Sequence, residues 1–184
     1  MLDLMRLEGC PLLQAAGWNR SRAGHLAERL ERLNLYYPPL VPPEAIFPAA
    51  WEIVDALEGT VIFNQCPELG LGATCHAVEF DFLGYDASLR PELEAIGKVL
   101  RRRVLFLGIG YDIAGDWLVD ETGMLYFLNR LKEGLFPFSH NIYQFLEKDL
   151  YGCTSLDGSS IFSRKIPPQN SVKLLNITGK LEAL

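Results

Sequence analysis

The hydrophobic period of this chain changes near Gly59, and that change constrains the fold more than any other feature. Before it, apolar residues recur at helical spacing. Leu26, Leu30 and Leu33 fall on one face, and Ile46, Ala50, Ile53, Val54 and Leu57 on another. Leu2, Met5, Leu12 and Leu13 mark a leading amphipathic segment, interrupted at Gly9 and Pro11. Ser21 reads as the cap of the Leu26–Leu33 helix, and a further helix is expected to begin after Pro42-Pro43. Gly59 then supplies a helix-ending glycine. Beyond it the pattern is that of strands. Val61–Phe63 is a β-prone run. Residues 74–82 alternate, with Cys75, Ala77, Glu79 and Asp81 on one side and His76, Val78, Phe80 and Phe82 on the other. Pro67–Gly72 is turn chemistry.

A short helix is predicted over Leu89–Leu100, closing at Arg101-Arg102-Arg103, followed by an apolar strand over Val104–Ile109. Gly115–Val119 and Met124–Leu128 flank Asp120-Glu121-Thr122-Gly123, a four-residue loop ending in glycine that predicts a hairpin. Ile142, Phe145, Leu146 and Leu150 define a last amphipathic helix, with Ser139 as its cap. This order, with antiparallel hairpins backed by helices on one side, predicts an α+β fold: a single domain with a central antiparallel sheet flanked by helices. The domain is expected over residues 1–152. Residues 153–184, rich in Gly, Ser and Pro and opposite in charge, read as a C-terminal extension, with Val172–Leu175 as a strand or a helical turn.

Composition narrows the function. The 184 residues carry a net charge of −6, with −5 in residues 59–152 and +2 in residues 153–184. Phosphate-neutralising proteins need a basic surface, so nucleic-acid binding is not expected. No apolar run approaches the roughly 20 residues that span a bilayer, and Asp3, Arg6 and Glu8 break up any leader-like start, so no membrane partner is expected and the location expected is cytoplasmic. The four cysteines, Cys10, Cys66, Cys75 and Cys153, are too dispersed to imply a disulfide scaffold.

The chemical motifs are bland. Gly108-x-Gly110 follows a strand but opens no helix, so it reads as a backbone bend rather than a dinucleotide loop. Cys66, Cys75 and His76 lack the tight spacing of a zinc site. Cys75, Cys153, His25 and His140 sit in no nucleophile signature. The carboxylates Glu79 and Asp81, and the run Asp112, Asp116, Asp120 and Glu121, have spacings a hydrolase could use, but solvated carboxylates fit the same pattern. No cofactor, metal or catalytic residue is therefore expected. An acidic surface can instead steer a basic partner. Of the aromatics, Trp18, Tyr36, Tyr37, Trp51, Tyr85, Tyr111, Trp117 and Tyr143 read mostly as core, with partner anchoring as the other use.

Three stretches combine into a recognisable order. They are Gly17-Trp18-Asn19-Arg20-Ser21-Arg22, Leu57-Glu58-Gly59-Thr60-Val61, and Leu107-Gly108-Ile109-Gly110 followed by Gly115–Tyr126. Over residues 12–151 this order resembles the third subfamily of the SUKH superfamily of bacterial immunity proteins, best at residues 118–126. Arg20-Ser21, Thr60 and Gly108 depart from its pattern. The resemblance implies a non-enzymatic protein that binds and neutralises a cognate polymorphic toxin, a nuclease being one candidate. A general interaction or regulatory domain of the same superfamily is the alternative, and an unrecognised hydrolase a third. Gly17, Trp18, Arg22, Gly59, Gly110 and Gly123 are expected to hold the fold, with Trp18 in the core and Arg22 paired to a carboxylate. Asp112, Asp116, Asp120 and Glu121, in a segment without a basic residue, are the expected toxin contacts, with Trp117 as a possible anchor.

Overall fold

The computed structural model describes residues 2–34, 46–65, 74–83, 87–110, 115–130, 134–149 and the backbone of 172–173. The chain begins with two one-turn helices, α1 (Leu4–Glu8) and α2 (Pro11–Ala15). A 3₁₀ turn at Arg20–Arg22 leads into α3 (Leu26–Asn34), and α4 spans Pro48–Leu57. Then come β1 (Thr60–Gln65), β2 (Thr74–Phe80), α5 (Arg90–Leu100), β3 (Val104–Gly110), β4 (Gly115–Asp120), β5 (Leu125–Asn129) and β6 (Gly134–Ser139). A short α6 (Ile142–Gln144) continues as a π turn over Phe145–Asp149, and β7 (Val172–Lys173) adds two residues. The strands form one sheet in chain order, each antiparallel to the next, so the chain is α+β.

Side-chain alternation splits the core into two. Leu105, Leu107, Trp117, Val119, Leu125 and Phe127 face a large cluster built with α1–α4 and Phe145. Val104, Phe106, Leu118, Tyr126 and Leu128 face the opposite way and pack with Leu93 and Ile96 of α5. Helices thus cover both faces, not one. Double coverage explains why β3 and β5 read as continuous apolar runs, whereas β2 alternates between buried Val78 and Phe80 and half-buried Glu79. Gly108 does mark a backbone bend. The register slips between Phe106 and Gly108, leaving Leu107 as an extra residue, and Ile109 is turned toward the α5 face. A Cβ on Gly108 would lie 1.9 Å from the Glu79 carbonyl oxygen, so no other residue fits.

Four local expectations are corrected. Pro48 occupies the first turn of α4, so that helix starts later than Pro42-Pro43 suggested. Ser21 lies within the 3₁₀ turn, and its backbone N–H is capped by Asn19. Asn141, not Ser139, caps α6, because Ser139 is buried at the end of β6. β6 itself was hidden by Pro137, which sits beside a bulge opposite Tyr126. The Tyr36–Pro43 connector, the Pro67–Gly72 turn, and most of 153–184 lie outside the described residues.

Candidate interaction site

The β4–β5 hairpin gathers most of the residues singled out for partner contact. Its centre is Asp120, which is wholly buried. Asp120 Oδ1 accepts the Thr122 backbone N–H at 2.8 Å, the Thr122 hydroxyl at 2.6 Å and the Met124 N–H at 3.1 Å. Oδ2 accepts Arg102 Nη1 at 2.6 Å and the Tyr126 hydroxyl at 2.9 Å. Gly123 closes the turn with φ +86°, a conformation that suits glycine. Burial pushes the Asp120 carboxyl up, but the bonds from Thr122, Arg102 and Tyr126 outweigh it and the net shift is downward. Tyr126 is pushed up to about 12, by burial first and then by its bond to Asp120.

The other two described acids are paired as well. Asp116 accepts Arg130 Nε at 2.7 Å, and the same guanidinium binds Glu92 of α5 at 2.6 Å. Burial raises Asp116 despite Arg130. Glu121 accepts Arg103 Nε at 3.0 Å. Trp117 is 1% exposed and packs with its ring centre 4.8 Å from those of Phe127, Phe138 and Phe145. Burial overturns two of the expected contacts and leaves Glu121 exposed. Trp117 and Asp120 lie inside the molecule, and Asp116 and Glu121 are held by arginines. Asp112 lies outside the described residues. The segment itself lacks basic residues, but antiparallel pairing brings Arg102 and Arg103 to one end and Arg130 to the other. Those arginines, 14 to 18 residues away in sequence, were missed because only the sheet register joins them to the acids.

Beside the Asp120 network lies a cleft of about 280 Å³ lined by Leu100, Arg102, Met124, Tyr126, Leu135 and Pro137. Its walls are mostly apolar: Leu100 at the end of α5, and Met124, Leu135 and Pro137 from the sheet. Its rim carries the Arg102 guanidinium.

The second constellation joins the residues expected to hold the fold. Gly17 ends α2 with φ +71° and turns Trp18 into the core, where it is 4% exposed. Trp18 Nε1 donates to the Ala56 carbonyl at 2.7 Å. Among the described residues Arg22 pairs with no carboxylate. Its Nη2 donates to the Gly59 carbonyl at 3.0 Å and, more weakly, to that of Glu58 at 3.4 Å, binding the C-terminal end of α4, where cations are favoured. Gly59, at φ +70°, donates its N–H to the Phe80 carbonyl at 2.7 Å. Gly110 closes β3, between Val78 and Gly115.

Of the earlier cysteine and histidine candidates, three have described side chains, and these lie apart in the fold. Cys10 is a buried free thiol, and His25 Nε2 lies 3.1 Å from the Ser21 carbonyl. His140 is exposed. The side chains of Cys66, Cys75, His76 and Cys153 lie outside the described residues. Among the described residues no group of three or more His, Cys, Asp or Glu is placed to hold a metal ion, and no helix is long and apolar enough to cross a membrane. Compared with models of known protein families, with curated proteins and with solved structures, the chain finds no match.

Proposed function

We propose that this chain is a non-enzymatic immunity protein of the SUKH type, which binds and neutralises a cognate protein toxin in the bacterial cytoplasm. One observation carries the reading. The stretches on which the resemblance rests are far apart in sequence, yet the first two bond to each other, and the second and third both meet the end of β2 at Glu79 and Phe80. Trp18 and Arg22 grip the carbonyls at the end of α4, and Gly59 bonds to the end of β2. The Gly108 bulge of β3 abuts Glu79 of β2. Such mutual fit is what a shared framework requires of residues that touch nothing outside the molecule. The contact surface follows from the same geometry. The acids of the hairpin are occupied, so the cleft beside it is the better seat for a toxin side chain, as an apolar pocket with a charged rim. The net charge of −6 speeds encounter with a basic toxin such as a nuclease.

The test is co-expression with the product of the adjacent gene. Rescue of growth and a stable, salt-sensitive complex are expected. Leu100→Glu, at the cleft wall, should weaken that complex by about 10-fold or more, roughly 1.4 kcal/mol, while leaving the circular dichroism spectrum unchanged. If no neighbouring product is toxic or bound, the immunity reading is wrong.

A further inference from the structure

The end of α5 is basic in a chain whose net charge is −6. Lys98, Arg101, Arg102 and Arg103 gather there, all exposed. The neighbouring acids are already paired: Glu94 with Arg90, Glu92 with Arg130, and Glu121 with Arg103. Lys98 and Arg101 bear no ion pair among the described residues. Arg102 is balanced by the buried Asp120, yet both of its bonds to the hairpin, to Asp120 and to Thr122, use Nη1. The rest of that guanidinium fork is left for another acceptor, on a side chain that is 41% exposed.

Arg102 is also a wall of the 280 Å³ cleft, whose other walls are Leu100, Met124, Leu135, Pro137 and the Tyr126 ring. An apolar cavity of about 150 Å³ already takes a benzene molecule, so the cleft has room for one aromatic side chain. Met124 adds a thioether, a group that aromatic rings favour. Apolar walls beside a guanidinium with donors to offer select a ring that carries or adjoins a carboxylate. The chain's own tail does not suit that seat. β7 brings Val172 beside Leu135, but residues 153–184 carry +2, the same sign as the corner. Charge therefore favours an occupant from another molecule.

We propose that this cleft seats an aromatic side chain flanked by a carboxylate and presented by a bound protein, with the ring among Met124, Leu135 and Pro137 and the carboxylate on Arg102. That the bound protein is a toxin rests on the immunity reading above; the chemistry of the seat does not.

The acidic body and the basic corner act at different ranges. Exposed charges more than about 8 Å apart are screened at physiological salt. The net charge of the body steers approach, whereas Lys98, Arg101 and Arg102 set the preference once the surfaces touch. Asp120 holds Arg102 in place before the partner arrives, so little ordering is left for binding to impose.

The experiment is an NMR titration of the amides of the full chain with 3-phenylpropionate, 3-phenylpropanol and 3-phenylpropylamine, which share a ring and differ in charge. Shifts are expected at Leu100, Arg102, Met124, Tyr126 and Leu135. Molecules of this size should bind in about the millimolar range. The acid should bind about 5-fold more tightly than the alcohol at low salt, and the amine more weakly than either. That advantage should narrow as salt is raised. Leu100→Glu should abolish binding of the acid. Arg102→Lys keeps a cation for Asp120 but gives up the planar fork, and should bring acid and alcohol to within about 2-fold of each other. Lys98→Gln with Arg101→Gly touches neither Asp120 nor a wall of the cleft, and should remove most of the salt dependence. An amine that binds as tightly as the acid, shifts that fall outside the cleft, or nuclear Overhauser contacts from Leu100, Met124 or Leu135 to residues 153–184 would each overturn the proposal. The acid-first order holding while co-expression yields no toxin would remove the toxin and uphold the seat.

Discussion

Asp120 shows how much one side chain can organise. Its two oxygens receive five donors and so define the hairpin turn, anchor the Arg101–Arg103 corner, and fix the Tyr126 ring at the edge of the cleft. Asp120→Asn keeps the volume but replaces acceptors with an amide that cannot accept from Arg102 and Tyr126 while serving the turn. Removing one partner of such a buried, charge-assisted set costs about 2–4 kcal/mol. The effect carries a pH signature. The carboxyl is held below its ordinary value of 3.8 in the folded protein, so its contribution is present above that value and is lost as pH falls through the folded value. Asp116 and Glu58, whose values are raised, act with the opposite sign. In urea denaturation at pH 3, 5 and 7, the stability difference between the parent and Asp120→Asn should be largest at pH 7 and smallest at pH 3. A gap that grows toward acid pH would mean that Asp120 is held protonated.

At the scale of elements, the N-terminus of α3 draws a cap from a distant part of the chain. Its first orphan donor is met from another helix: Asp55 of α4 accepts the Leu26 N–H at 2.7 Å, and also the N–H of Gly24, just before α3, at 2.6 Å. One carboxylate thereby caps a helix and docks two helices together. Asp55→Ala should cost about 1–2 kcal/mol, at the upper end for a lost cap, because helix docking suffers with it. The Asp55→Asn variant, which retains one acceptor oxygen, should recover part of that loss in thermal denaturation. Equal losses for Ala and Asn would show that the charge, rather than the cap geometry, matters. The same long-range logic explains what was hard to read locally. Helix capping was sought in Ser21, five residues from α3, and found 29 residues away.

The whole molecule is one sheet with apolar clusters on both faces, and β3, β4 and β5 contribute to each. Neither cluster can come apart without stripping strands that the other needs. Unfolding should therefore be a single transition. Trp18 and Trp117 are buried in the larger cluster, so their fluorescence reports that face, while far-ultraviolet circular dichroism reports all elements. The two urea curves are expected to superimpose. A tryptophan transition that precedes the loss of ellipticity would mean that the helical layer separates from the sheet.

The period of the apolar residues and the turn chemistry were enough to determine the α+β class and the β4–β5 hairpin with its Gly123, and the absence of a helix after Gly108-x-Gly110 was enough to mark a backbone bend. These depend on period and turn chemistry, both of which are local. What the acids do was decided by the tertiary structure alone. Asp116, Asp120 and Glu121 read as a free acidic run, yet the sheet register delivers an arginine to each. Arg22 proved to hold carbonyls rather than a carboxylate, and Glu58, in sequence only a residue before a helix-ending glycine, became the buried anchor of a segment 24 residues away. β6 was invisible because Pro137 breaks the local pattern, and only pairing with β5 defines it. Charges act over distances set by folding, and their partners come from whichever strand or helix lies alongside. The sequence spacing of ionisable groups is for that reason a poor guide to their electrostatics, whereas the spacing of apolar groups is a good guide to the elements that bury them.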